Sequence, residues 1–216
     1  MKKSDLAITN PGDTRKGMLK DNMKQVVLVG DSIRMGYEPR VRKHLSDVAV
    51  VWGPKQNGGN SVNLLGLLHL WTEHRQPDLI HFNCGLHDLR TIFQGSKETV
   101  VPLDHYRRNL HTLIRIMRER TQATLVWAST TPIIDEDAHR EHAKWLDFDR
   151  SNEQVLRYNE VAREVMEIEK VPVNDLYAVV CTHGPASLQN GDGVHYSEAG
   201  SRILGDAVAD FLLEHL

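Results

Sequence analysis

A chain of 216 residues, 40% apolar and 25% charged, is long enough to bury one well-packed core and has the balance of a globular domain. Its net charge of −3 and lack of a Lys/Arg block give no electrostatic footprint for nucleic acid, and no apolar run approaches the roughly 18 residues of a membrane span. Two cysteines, Cys84 and Cys181, are too few for a disulfide framework and fit a reducing compartment. Residues 1–24 read as a polar lead-in without the apolar core of a signal peptide, so a cytoplasmic protein is expected. The fold is expected to occupy 25–216 as one domain. "VVLVG" (26–30) predicts a strand buried on both faces. A helix follows over 34–45, a second strand over 48–52, and a breaker-rich loop over 53–60. Residues 61–74 predict a helix with Ser61 as N-cap and Val62, Leu65, Leu68 and Leu70 near helical spacing. A third strand spans 78–84. The helix over 103–120 carries Tyr106, Leu110, Leu113, Ile114 and Met117 on one face. Then come a fourth strand (124–130), a long polar loop (131–152), a helix (153–170), a short strand (171–176), a loop (about 181–196) and a last helix (197–216).

Strands alternating with helices predict an α/β fold with a parallel sheet covered on both faces. Ligands of such sheets lie at the strands' carboxyl ends, where strand order reverses. The residues just past each strand are therefore the candidates. Past the first strand stands "GDSIRMG", with Ser32 at a helix start. Ser32 reads either as a nucleophile near backbone N–H groups or as a plain helix cap. The stretch is not GxGxxG, Walker A or GxSxG. Past the second strand, "NGGNS" (57–61) reads as a ligand-approaching loop or a flexible turn. Past the third stands "NCGLHD" (83–88). Before the last helix, Asp192 and His195 have the spacing of a carboxylate that holds an imidazole in one tautomer, and equally of an ordinary turn.

These stretches in this order resemble the SGNH hydrolase (GDSL esterase/lipase) superfamily from about Val26 to the C-terminus. Gly30-Asp31-Ser32 matches its first block, Gly59 (with Gly58 adjacent) its second, and Asp192 with His195 its last. The third block, usually Gly-x-Asn-Asp, reads Gly85-Leu86-His87-Asp88, so His87 stands where the family has asparagine. The resemblance implies a three-layer α/β/α sandwich with a five-stranded parallel, flavodoxin-like sheet. It also implies a serine esterase acting on small or medium acyl esters, carbohydrate O-acetyl groups included. Ser32, His195 and Asp192 would form the triad, and Ser32, Gly59 and His87 the oxyanion hole. That chemistry requires no metal or organic cofactor, and its partner is a small ester rather than nucleic acid or a membrane.

Two alternatives stand beside it: a non-catalytic flavodoxin-like binding domain, and a metal-dependent phosphoesterase using His139 and His142 in the acidic 131–152 stretch. The same stretch carries Trp145, Phe148 and Arg150, expected to overhang the site and shape substrate choice. Trp52 reads as a second wall or as core. Cys84 reads as packing at a strand end, and Asp88 as a support for its loop.

Overall fold

The computed structural model describes residues 23–72, 75–145 and 148–216. The lead-in expected over 1–24 lies, up to residue 22, outside the described residues. Five strands, β1 (Lys24–Val29), β2 (Ala49–Trp52), β3 (Leu79–Phe82), β4 (Thr124–Ala128) and β5 (Val173–Asn174), form one sheet in the order β2-β1-β3-β4-β5. Every pairing is parallel. Val26 sits between Val51 and Leu79 in register, and Val26 to Val29 are all buried, which is why this strand reads as an unbroken apolar run. The chain leaves β1 toward β2 on one side and returns to β3 on the other. The strand-order reversal therefore falls between β1 and β3.

Helices α1 (Ser32–His44), α2 (Ser61–Thr72), α3 (Leu103–Arg120), α4 (Asp135–Trp145), α5 (Asn152–Ile168), α6 (Leu176–His183), α7 (Pro185–Leu188) and α8 (Glu198–Leu213) flank the sheet. One layer is α1 against α8, with α6 and α7 beside α8; the other is α2 against α3 and α3 against α5. All five apolar positions expected on α3 are buried. No helix among the described residues is long and apolar enough to cross a membrane.

Four expectations need correction. In α2 the buried apolar residues are Leu64, Leu68 and Trp71, while Val62 and Leu70 are more than half exposed. Its cap is Asn60, whose side chain accepts from the Asn63 N–H, and not Ser61, which is the first helical residue. The 131–152 stretch is not simply a loop: α4 occupies Asp135–Trp145, with three acidic residues in its first turn and His142 and Lys144 in its last, complementing the helix dipole. The fifth strand, expected over 171–176, shrinks to Val173–Asn174, because Asp175 accepts from the Ala178 N–H and starts α6.

Candidate active site

The buried run of β1 ends at Gly30, and Asp31 caps α1 by accepting from the Ile33 N–H at 2.9 Å. That cap role, which the sequence left open for Ser32, belongs to Asp31. Ser32 is the first helical residue, where N–H groups lack intrahelical acceptors and favour negative charge. Its hydroxyl is left for another partner. Ser32 Oγ lies 2.9 Å from His195 Nε2, across 163 residues of sequence. On the other side of the ring, His195 Nδ1 is 2.7 Å from Asp192 Oδ2. The tautomer that satisfies both contacts carries its proton on Nδ1 and accepts from the serine at Nε2.

Asp192 is built to stay ionised. Burial works against the charge, but the N–H groups of His195 (2.7 Å) and Val194 (2.9 Å) and the imidazole together hold its carboxyl below the usual range. The loop is fixed in turn: the Ile134 N–H donates to the Gly193 carbonyl at 2.9 Å, and Asn190 N–H to the His195 carbonyl at 3.0 Å. The segment after β4 thus leans on the Asp192–His195 loop.

Of the two candidate glycines, Gly58 donates its N–H to the Gly30 carbonyl at 2.9 Å, a backbone partner within the fold. Gly59 has φ +63 and donates to Asn57 Oδ1 at 2.8 Å, a side chain on an exposed residue. Of the two, only the Gly59 N–H has a partner that a ligand could displace. The buried Arg34 ties this loop to the exit of β1. Its guanidinium donates to the carbonyls of Pro54 (2.9 Å) and Gln56 (3.1 Å) and pairs with Glu38.

In the third block Gly85 has φ +140, and a Cβ there would meet Thr130 Oγ1 at 2.4 Å, so both conformation and space demand glycine. Tyr106 donates its hydroxyl to the Cys84 carbonyl at 2.8 Å. Cys84 is fully buried and its thiol is pushed well up by that burial, consistent with packing. The Asp88 carboxylate accepts from the backbone and hydroxyl of Ser61 and so joins the third block to α2. His87 is half-buried. Burial pulls its pKa down to about 4; Asp31 opposes this, while Arg150, Arg90 and His195 reinforce it. His87 is therefore neutral at physiological pH and offers one N–H rather than two.

The residues of the 131–152 stretch separate. Arg150 is 8% exposed and donates Nε–H to the Leu86 carbonyl, beside His87, at 2.9 Å. Its guanidinium lies 4.8 Å from the centroid of Phe148, and that of Arg90 4.9 Å from the same ring. The side chain of Trp145 lies outside the described residues. His139 and His142 both turn to Asp149, at 2.7 and 3.5 Å. Among the described residues no group of three or more His, Cys, Asp or Glu is gathered as a metal site. The ring of Trp52, the last residue of β2, lies under the Arg75 guanidinium at 3.5 Å. Arg90 escaped notice in the sequence; its one signal was its place three residues past His87.

Residues 28–203 match the sequence model of the GDSL-like lipase/acylhydrolase family. Over 125 residues the chain is 28% identical to a GDSL esterase/lipase of Arabidopsis thaliana, covering 53% of this chain and 49% of the relative. The chain thus spans about half the length of the curated relative it matches. A lipase/acylhydrolase from Enterococcus faecalis superposes with a TM-score of 0.72 at 21% identity, over 90% of this chain and 97% of that one. An acetyl xylan esterase, AlAXEase, gives 0.68 at 18% identity, over 87% and 99%. At such identities the two structures establish the shared fold.

Proposed function

This chain belongs to the GDSL-like lipase/acylhydrolase family, and we propose that it is a serine esterase that cleaves small or medium acyl esters through Ser32, His195 and Asp192. The observation that carries the reading is the unbroken chain of contacts from Ser32 Oγ to His195 Nε2 (2.9 Å) and from His195 Nδ1 to Asp192 Oδ2 (2.7 Å). In this reading Ser32 Oγ attacks the ester carbonyl while Nε2 takes the hydroxyl proton. Asp192 stabilises the resulting imidazolium. Nε2 then returns the proton to the departing alcohol, leaving an acyl-serine. Water attacks that ester with the same base, releasing the acid and restoring the hydroxyl.

The tetrahedral oxyanion would meet the N–H of Ser32 at the α1 start, the N–H of Gly59 once released from Asn57, and a ring N–H of His87. The neutral state of His87 suits a donor that must not compete with His195 for a proton. The fold shared with an acetyl xylan esterase supports carbohydrate O-acetyl groups as one substrate class. The binding-domain alternative loses its ground with membership of a hydrolase family. The phosphoesterase alternative has weaker support, since His139 and His142 are engaged by Asp149. Turnover of a series of 4-nitrophenyl acyl esters by wild type and Ser32→Ala tests the reading: activity on short chains in wild type and none above background in the variant is expected. Equal activity in both would refute it.

A further inference from the structure

We propose that Arg150 and Arg90, held about the Phe148 ring, form a cationic subsite that selects esters bearing a carboxylate or similar oxyanion. This rests on the esterase reading above and names a substrate class for that same site. Burying a guanidinium is costly unless an anion compensates it. Arg150 is 8% exposed, yet neither it nor Arg90 forms an ion pair among the described residues. The adjacent carboxylate, Asp149, is turned elsewhere: it accepts from His139 at 2.7 Å and from the Arg150 backbone N–H at 2.9 Å. The Arg150 side chain spends Nε–H on the Leu86 carbonyl and reaches His142 Nε2 at 3.3 Å with one terminal nitrogen; the other has no protein acceptor among the described residues. Among the described residues the Arg90 guanidinium has only the face of Phe148. An aromatic ring orients a guanidinium without neutralising it, leaving its N–H fork for a ligand.

The subsite adjoins the reactive groups. Leu86, which anchors Arg150, precedes His87, and Arg90 follows it on the same strand exit. The fields of Arg150, Arg90 and His195 all reach His87. Three carboxylates act on Arg150 through space, Asp31, Asp192 and Asp149. Asp192 accepts from the neutral His195, Asp31 caps α1, and Asp149 is turned to His139. None of the three pairs with either guanidinium among the described residues, so a substrate anion would meet N–H donors that no protein carboxylate occupies.

The anion could sit on the acyl or on the alcohol half. Two matched pairs separate these: mono-4-nitrophenyl glutarate against 4-nitrophenyl butyrate, and 4-acetoxybenzoate against its methyl ester. Wild type is expected to favour the anionic member of one pair in kcat/KM by about tenfold or more, chiefly through KM. The anionic-to-neutral ratio should fall about tenfold in Arg90→Met and in Arg150→Met, and recover in part in Arg90→Lys. A purely structural role for Arg150 would lower both members together and leave the ratio unmoved. Wild-type turnover of neutral esters with a ratio near one in both pairs, or ratios unchanged in both methionine variants, would overturn the subsite and leave the esterase reading standing. Absence of turnover on every ester would overturn both.

Discussion

Asp88 and Ser61 are joined by three hydrogen bonds across 27 residues: both carboxylate oxygens accept from the Ser61 N–H, at 2.9 and 3.0 Å, and one also takes the hydroxyl. Asn109 adds a donor to the Ser61 oxygen at 2.8 Å. The pair locks the loop that bears Gly59 to the loop that bears His87. Burial raises the Asp88 carboxyl to about 6, and the Ser61 bonds limit that rise. Asp88→Ala is expected to lower stability by about 1–3 kcal/mol, the cost of leaving buried donors unsatisfied. It should also lower kcat more than KM. Urea unfolding and steady-state kinetics on one preparation check both.

His87→Ala is expected to lose about 10²–10³ in kcat, as for removal of one oxyanion donor, whereas His87→Asn keeps a side-chain N–H and should stay within about tenfold of wild type. Rates with a short-chain ester decide it. Wild-type kcat in His87→Ala would remove His87 from the oxyanion hole.

The same residue gives a stability signature. In the unfolded chain an imidazole takes up its proton near 6.5, but folded His87 does not until about 4. Between those values the unfolded state binds more protons, so stability falls as pH falls through the window. Buried His81, lowered to about 3 by desolvation, acts in the same direction. Asp88 acts oppositely, because its folded carboxyl is protonated near 6 rather than 3.8. Comparing wild type with His87→Asn isolates one contribution. The Tm difference between them should move in favour of the variant from pH 7 to pH 4.5, and a constant difference would contradict the assigned burial.

Gly85→Ala is expected to destabilise the fold by about 1–3 kcal/mol, since alanine is strained at φ +140 and its methyl would overlap Thr130 Oγ1. Chemical denaturation measures it. Thr130→Ser should leave most of that loss in place, because its hydroxyl, the clashing atom, stays.

Much of this was legible in the sequence because it depends on local pattern. Val26–Val29 read as a doubly buried strand, and Tyr106 to Met117 as one helix face, since periodicity reports burial directly. Ser32 was legible from its place between the end of β1 and the start of α1, and Asp192 with His195 from their spacing in the loop ahead of α8. The misreadings share a cause. Among the described side chains helix α4 buries little beyond Ala138 and His142. The strand expected over 171–176 ends at Asn174 because Asp175 caps α6. Val62 and Leu70 are apolar but exposed, because the sheet-facing side of α2 is set by Leu64, Leu68 and Trp71. The approach of Arg90 and Arg150 to one ring joins positions 60 residues apart, which no local pattern reports.

The central claim, that Ser32 is a nucleophile activated by His195, is tested most directly by intact-mass and peptide analysis after exposure to a serine-directed phosphonate. The account predicts one adduct per chain, mapped to Ser32, absent from Ser32→Ala and formed far more slowly in His195→Ala. An unmodified Ser32 in a preparation that hydrolyses esters, or an adduct on another residue, would contradict it.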